Sequence, residues 1–279
     1  MILEHYLTVL IFFLFGLAGG FLGSMLGVGG GIIFVPILAH YIRLSGIEGD
    51  VLVKCVLANS MLTIVFTGLS ASYNQHKQGT YYIRPVLFTA LAGVISSTVV
   101  TWFITSGSWY NKQLFSFFFI TLLVTVSLRV FLKRNSVVNN VAFETIPPLK
   151  FSLIGFGAGI VTALSGLGGG LVMVPVFSLL LKIDIKKSIS ISTGVILFFA
   201  LPLTIIYLFK QPVSFPENVF HIGHIIPQLV LPMGVGVVLA SKFGVKAGAR
   251  LSEDKLKLML LILVTIVTTK MLWETFFHA

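Results

Sequence analysis

Charged residues are scarce in this chain. Only 10% of its 279 residues are Asp, Glu, Lys or Arg, whereas a soluble domain carries roughly a quarter. Apolar residues make up 56% of the chain and give a mean hydropathy of +1.02. The apolar runs at 6–26, 83–105 and 256–273 are each long enough to cross a hydrocarbon core of about 30 Å. This composition excludes a soluble protein and predicts an all-α polytopic membrane protein.

Cysteine and membrane-embedded carboxylates are also nearly missing. The single cysteine, Cys55, excludes an intramolecular disulfide. The nine Asp and Glu residues all fall in predicted loops or near segment ends, whereas carboxylates inside a membrane usually mark cation sites and proton relays. The apolar segments contain no nucleophile, metal-ligand cluster or paired acid and base. The sequence therefore predicts no catalytic residue, no metal, no cofactor and no enzyme activity.

The excess of positive charge, formally +10, does not indicate a nucleic-acid partner. The 19 Lys and Arg residues are scattered through short loops between apolar segments and form no basic face. In a polytopic membrane protein such loops set the orientation, because cytoplasmic loops carry the excess of Lys and Arg. The predicted surroundings are a lipid bilayer, with no nucleic acid.

The chain repeats itself. GLAGGFLGSMLGVGGGIIFVP at 16–36 aligns without a gap to GFGAGIVTALSGLGGGLVMVP at 155–175, with eight of 21 positions identical. KCVLANSM at 54–61 is then aligned with KSISISTG at 187–194. Two transmembrane units are predicted, 1–139 and 140–279, joined by a polar linker at about 133–150. Each has a long helix before the glycine run, a short segment after it (32–44; 171–182) and three longer helices (51–74, 83–105 and 112–133; 186–209, 222–243 and 255–277).

The number of membrane crossings decides how the two units are oriented. If the short segments count, each unit has five crossings and the second unit is inverted; if they do not, each has four and the units are parallel. With five crossings and the linker inside, 14 basic residues lie inside and 5 outside. With four crossings, 8 lie inside and 11 outside. The rule that basic loops are cytoplasmic favours two inverted repeats of about five segments each, with both termini outside.

The glycine runs LGVGGGIIFVP and SGLGGGLVMVP are the most distinctive feature of the repeat. Glycine permits positive φ angles, and non-helical backbone is tolerated at membrane depth only where protein or water surrounds it. A break in the helix leaves backbone N–H groups free at the positive end of the short helix, which suits an anion. Close helix packing is the alternative role for these glycines. The predicted substrate-binding glycines are Gly29, Gly30, Gly31, Gly168, Gly169 and Gly170.

Pro36 and Pro175 follow the two glycine runs and are predicted to be structural helix-break residues. Two placements are open. Either each proline lies in the first turn of its short helix, which then begins near 35 and 174, or the helix begins at the last glycine and the proline lies inside it.

A small polar pair on the following helix is the second candidate for substrate binding. The pair is Asn59 and Ser60 in the first unit, and Ser192 and Thr193 in the second. These side chains are predicted to hydrogen-bond a substrate oxygen or the broken backbone. The alternative is ordinary interhelical hydrogen bonding, which contributes less than about 1 kcal/mol per bond in membranes.

The doubled glycine motif, each copy with a proline five residues later, resembles the TauE/SafE family of membrane proteins. The closing stretch, LVLPMGVGVVLASKFGVKAGARLSEDKLKLMLLILV, is similar to the last two helices of that family. The likeness spans nearly the whole chain. In the family a Thr-Ser pair is common on the helix after the break, and this chain departs from it with Asn59-Ser60 and Ser192-Thr193.

The resemblance implies a transporter of small sulfur-containing anions such as sulfite or organosulfonates, usually an exporter. The expected protein is a multi-pass secondary carrier of the cytoplasmic (inner) cell membrane. The alternatives are a passive anion channel and an accessory membrane subunit without transport activity. Which anion is carried, the coupling ion and association into a homo-oligomer are left open by the sequence.

Overall fold

Ten α-helices make up the protein in a computed structural model that describes residues 2–132, 145–212, 215–216 and 219–277. No β-strand occurs in these ranges; one isolated bridge joins Ile222 to Ile225. The predicted linker lies outside them except for 145–150. The helices are α1 (Ile2–Leu26), α2 (Gly31–Leu44), α3 (Gly49–Lys77), α4 (Ile83–Ser106), α5 (Lys112–Leu132), α6 (Pro148–Ser165), α7 (Gly170–Leu179), α8 (Ile185–Phe209), α9 (Pro227–Arg250) and α10 (Glu253–Phe277).

Six of these helices are long and apolar enough to cross a membrane: α1 from Tyr6 onward, α3, α4, α6, α8 and α9. The apolar helices α2 and α7 are shorter, with 14 and 10 residues, and rise only about 21 and 15 Å. The prediction of an all-α polytopic membrane protein with a broken helix followed by a short one in each half is confirmed.

The first residues of α6, α8 and α9 explain where those helices begin. Proline stands at the start of α6 and α9, where no backbone donor is needed. The carboxylate of Asp184 caps α8 by accepting from the N–H groups of Lys186 and Lys187. The prediction for α9, 222–243, is wrong at both ends. The helix begins only at Pro227, because Gly223 takes a φ of +58° in a turn, and it ends at Arg250.

The main helix pairs each join a helix of the first half to a helix of the second half. Helix α1 packs along α9, and α6 packs along α4; α3 packs against α8. Glycines allow the first two pairs to approach closely: a Cβ built on Gly16 would lie 2.2 Å from Met233 O, and one on Gly155 would lie 2.0 Å from Thr89 O. The counterparts α1 and α6 thus pair with α9 and α4, which are themselves counterparts.

Helices α3 and α8 lie antiparallel at the centre of the bundle. Gln75, near the end of α3, contacts Ser190, near the start of α8, and Gly68 packs on Leu197. We call the end where α3 finishes and α8 starts the basic end, and the end where α3 starts and α8 finishes the far end. The described basic residues at or beside helix termini at the basic end are Lys77, Arg84, Lys150, Lys182, Lys186, Lys187, Lys246, Arg250, Lys255 and Lys257. Those at the far end are Arg43, Lys54, Lys112 and Lys210.

Candidate functional site at the two glycine breaks

Both glycine runs are true breaks in the helical backbone. In the first, Gly29 and Gly30 have φ angles of +79° and +80°. In the second, Gly168 and Gly169 have φ angles of +73° and +74°. Residues with a Cβ rarely adopt these angles, which explains why glycine stands at these positions in both halves.

The short helices begin at the third glycine of each run. Helix α2 starts at Gly31 and α7 at Gly170, with the preceding glycine as the N-cap. Pro36 and Pro175 therefore lie inside the short helices. Of the two placements left open by the sequence, the one with the proline in the first turn is wrong.

The two breaks lie directly against each other. A Cβ built on Gly31 would be 2.8 Å from Gly166 O, and one on Gly170 would be 2.2 Å from Gly27 O. Gly29 and Gly168 occupy the middle, where each packs between the side chains of the same two residues, Ile64 of α3 and Ile196 of α8. The starts of α2 and α7 consequently meet in the buried centre of the protein.

Ser60 and Ser192 each hold the break of the other half. Ser60 Oγ donates to Gly166 O at 2.7 Å, and Ser192 Oγ donates to Gly27 O at 2.7 Å. These matching bonds make Ser60 the counterpart of Ser192, at an offset of 132 residues. The sequence alignment of 54–61 with 187–194 is therefore wrong by one residue, and Lys54 is the counterpart of Lys186.

Asn59 and Thr193, the other two predicted polar ligands, are bonded to backbone. Asn59 donates to the carbonyls of Cys55 at 2.7 Å and His224 at 3.0 Å, and its Oδ1 accepts from Ile226 N at 2.8 Å. Thr193 Oγ1 donates to Ile189 O at 2.8 Å. Their side-chain donors are thus used within the protein, whereas an anion needs donors.

Free donors remain on the backbone at the breaks. Across the described residues, no hydrogen bond takes the N–H groups of Gly30, Gly31 and Ile32, nor those of Gly169, Gly170 and Leu171. These groups lie at the positive ends of two helix dipoles that start at the same place. Two sets of unpaired amides in one buried region are an arrangement suited to a negative charge.

Within the described residues a cavity lies at each end of the bundle, and none of the break glycines from Gly27 to Gly31 or from Gly166 to Gly170 lines either of these two. The larger, of about 190 Å³, is at the basic end, where Gln75 and Gln78 of α3 meet Lys186 and Ser190 of α8. The smaller, of about 120 Å³, is at the far end, between Thr8 of α1, Tyr41 of α2 and Gln228 of α9. The breaks themselves are fully buried, so this conformation is closed around them.

The far end carries a buried polar cluster that the sequence did not reveal. Tyr207 is fully buried and His224 is 3% exposed, and neither the Tyr207 hydroxyl nor His224 Nδ1 has a partner within the described residues. Burial and, to a smaller extent, the charge of Lys54 lower the pKa of His224 to about 4. Lys54 itself is paired with Asp50 at 2.8 Å and donates to Gly107 O at 2.8 Å.

A sequence profile described as "Sulfite exporter TauE/SafE" matches residues 12–271, almost the whole chain. The chain belongs to the TauE/SafE family. The resemblance carried by the two glycine motifs is thereby confirmed, and the family is one of membrane transporters, not enzymes. This TauE/SafE protein is accordingly a multi-pass protein embedded in a lipid bilayer.

Curated relatives of this TauE/SafE protein are described as probable membrane transporter proteins. One from Methanocaldococcus jannaschii is 26% identical, with 92% of each chain covered. One from Haemophilus influenzae is 27% identical over 94% of this chain and 97% of its own. YunE of Bacillus subtilis is 23% identical over 97% of this chain and 100% of its own. No solved structure matches the chain.

Proposed function

We propose that this protein is a secondary carrier that exports a small sulfur-containing anion, such as sulfite or an organosulfonate, across the cytoplasmic membrane. The anion is held at the centre of the protein by the backbone N–H groups at the starts of α2 and α7. The observation that carries the proposal is the meeting of two helix starts whose amides have no hydrogen-bond acceptor among the described residues. The family description, a sulfite exporter, supports the choice of anion.

Two observations support the proposed inverted repeat. Helices α3 and α8, which carry the matching residues Ser60 and Ser192, lie antiparallel. The pairing of α1 with α9 and of α4 with α6 is what a twofold relation between the halves produces. Inverted-repeat transporters place interrupted helices around the substrate and expose it alternately by rocking one unit against the other.

The proposed role of Ser60 and Ser192 is to hold the breaks in place. Each hydroxyl donates its one hydrogen bond to a carbonyl of the opposite break. This bond orients the break and leaves the N–H groups of the break for the anion. The carbonyls of Gly27 and Gly166, which would repel an anion, are satisfied by these bonds. Asn59 and Thr193 bond elsewhere, Asn59 to the loop before α9 and Thr193 to Ile189 of its own helix, and are not proposed to hold the breaks.

The test is flux of radiolabelled sulfite in liposomes containing the purified protein, with substitutions that fill the contact between the breaks. Gly31→Ala and Gly170→Ala suit this purpose better than changes at Gly30 or Gly169, whose positive φ strains any side chain. Gly157→Ala is the matched control, because a Cβ there meets nothing within 4 Å. We expect flux to fall at least tenfold in the first two variants and to stay at the wild-type level in the control.

The same samples give a second readout that does not depend on the variants. Sulfite binding to the wild-type protein should raise its melting temperature, because a ligand that binds only the folded state stabilises it. Wild-type flux in folded Gly31→Ala and Gly170→Ala would contradict the proposed site. Flux that does not saturate with sulfite concentration would indicate a channel in place of a carrier.

A further inference from the structure

The cavity at the basic end has the lining of an anion site. Six of its 11 lining residues are polar: Ser24, Gln75, Gln78, Thr80, Lys186 and Ser190. None of the lining residues is acidic. Because it combines one fixed positive charge with several neutral hydrogen-bonding groups, the cavity favours a small oxyanion over a cation.

Lys186 supplies the charge. Its Nζ donates to Ala249 O at 2.9 Å, which uses one of its three N–H bonds. No carboxylate within the described residues forms an ion pair with it, since the Asp184 side chain accepts from the backbone N–H of Lys186 and not from its ammonium group. The ammonium group keeps two N–H donors for a ligand.

Gln75 supplies a neutral donor. It is 3% exposed and lines the cavity, and its side-chain amide lies 3.2 Å from Ser190 Oγ. Ser190 Oγ also donates to the carbonyl of Thr80, so whichever way the amide of Gln75 is oriented, at least one of its N–H bonds has no protein acceptor. A buried amide with an unused donor costs free energy unless water or a ligand accepts from it.

The size of the cavity limits what fits. A volume of about 190 Å³ holds about six water molecules at the volume of liquid water. A sulfite ion or a two-carbon sulfonate fits, with or without one or two waters.

The cavity also lies next to the first glycine break. Ser24 and Met25 of α1 line it, and Gly27 follows two residues later. A Cβ built on Gly27 would be 2.9 Å from Ile189 Cα, and Ile189 is another lining residue. Ile189 therefore contacts both the cavity and the start of the first break, and a local movement of α8 against the end of α1 would bring the cavity closer to the buried amides.

We propose that this cavity, with Lys186 and Gln75 as its principal ligands, is the loading site in which the protein receives a small oxyanion from the side of the basic end. The inference rests on the proposed transport function and adds the place where the anion first binds. The ten basic residues at this end attract anions over a longer range. By the rule that basic loops are cytoplasmic, this is the side from which an exporter must load.

The experiment measures the dissociation constant for sulfite of the purified full-length protein by isothermal titration calorimetry, and the sulfite flux of the same samples in liposomes. The variants are Lys186→Gln, Lys186→Arg and Gln75→Leu. The matched control is Lys77→Gln, which removes the same charge at the same end but from a side chain that lies over the Tyr73 ring and does not line the cavity.

We expect Lys186→Gln to weaken sulfite binding roughly tenfold or more, because it removes a charged hydrogen-bond donor. Lys186→Arg should restore most of the affinity, Gln75→Leu should weaken binding roughly threefold to tenfold, and Lys77→Gln should change it less than twofold.

Two results overturn the inference. If the wild-type protein transports sulfite and Lys186→Gln binds it as tightly as Lys77→Gln does, the cavity is not the loading site, although the transport function stands. If the wild-type protein neither binds nor transports sulfite, the proposed function fails and the loading site fails with it.

Discussion

The two ends of the α3–α8 pair share a backbone hydrogen bond but differ in the space beside it. At the basic end Thr80 N donates to Gln75 O at 3.0 Å; at the far end His224 N donates to Tyr207 O at 3.0 Å. Gln75 and Tyr207 are counterparts at the offset of 132 residues. Yet the basic end contains a cavity of about 190 Å³ lined by Gln75, whereas Tyr207 at the far end is fully buried.

Side chains account for the difference. Lys186 faces its cavity without a carboxylate partner among the described residues, whereas its counterpart Lys54 is bonded to Asp50 and Gly107. The far end is further tied by Asn59, which bonds to both His224 and Ile226. The comparison teaches that a cavity can reach Gln75 at one end while Tyr207 at the other end is packed in, with a smaller cavity of about 120 Å³ elsewhere at the far end. Alternating access requires a difference of this kind between the two ends.

The largest expected effect comes from removing the hydrogen bonds that Asn59 makes to the loop at the far end. Asn59→Ala removes three hydrogen bonds and leaves the buried Ile226 N–H and His224 carbonyl without their partner, which should destabilise the closed end by about 3 kcal/mol. Cys55, fully buried one helical turn away, should then react with a membrane-impermeant maleimide at least ten times faster.

Ser190→Ala is the matched control for that experiment, because Ser190 bonds the Thr80 carbonyl at the basic end as Asn59 bonds the His224 carbonyl. It should leave the Cys55 reaction rate unchanged. Equal rates in Asn59→Ala and the wild type would show that Asn59 does not seal the far end.

The next effect in size is a pH dependence confined to the far end. His224 has a pKa of about 4 in the closed structure and an ordinary value of 6.5 when exposed. Neutral His224 therefore contributes its full stabilisation of the closed end above pH 6.5. This stabilisation is lost as the pH falls from 6.5 toward 4. Between pH 8 and pH 5 the loss is about 2 kcal/mol.

The measurement is the melting temperature of the wild type and of His224→Gln, which does not titrate, at pH 8 and pH 5. The wild type should lose more stability on acidification than the variant does. Identical pH profiles would exclude His224 as the titrating group. They would also show that the charge of Lys54 and the ring of His221, which both lower the pKa of His224, do not affect the stability of this end.

The smallest effects are expected at the two glycine breaks, where the same substitution in each half should cost the same stability. They test whether the two breaks are equivalent although the two ends of the bundle differ. Ser60→Ala and Ser192→Ala each remove one 2.7 Å hydrogen bond to the opposite break. Each should cost about 0.6 kcal/mol, a typical value for interhelical bonds in membranes. Thermal or denaturant unfolding in detergent measures both. A clearly larger cost for one serine would contradict the equivalence of the two breaks.

Much of the fold follows from the sequence because apolar length and the glycine repeat are local signals. The predicted bounds of the helices now called α3, α4 and α8 agree with the structure to within three residues. The start of α9 was missed because Ile222, Ile225 and Ile226 read as part of an apolar helix. Only tertiary contacts, above all the hydrogen bond between Asn59 and Ile226, show that this stretch is a loop held against α3.

The register of the second half and the loading cavity needed the structure for a similar reason. Two adjacent lysines, Lys186 and Lys187, match Lys54 equally well in sequence, and the bond from Ser192 to Gly27 decides between them. Gln75 and Ser190 are 115 residues apart in the chain. No local pattern predicts that they meet, because their contact depends on how α3 and α8 pack.

The most direct test of an alternately closing carrier compares thiol reaction at the two ends in membranes, with and without sulfite. Cys55, the only cysteine in the chain, reports on the far end. In a Cys55→Ala background, the thiol introduced by Val245→Cys reports on the cavity that Val245 lines. We predict that sulfite raises the maleimide reaction rate at Cys55 and lowers it at position 245. Rates that rise together, or that do not respond to sulfite, would contradict the account.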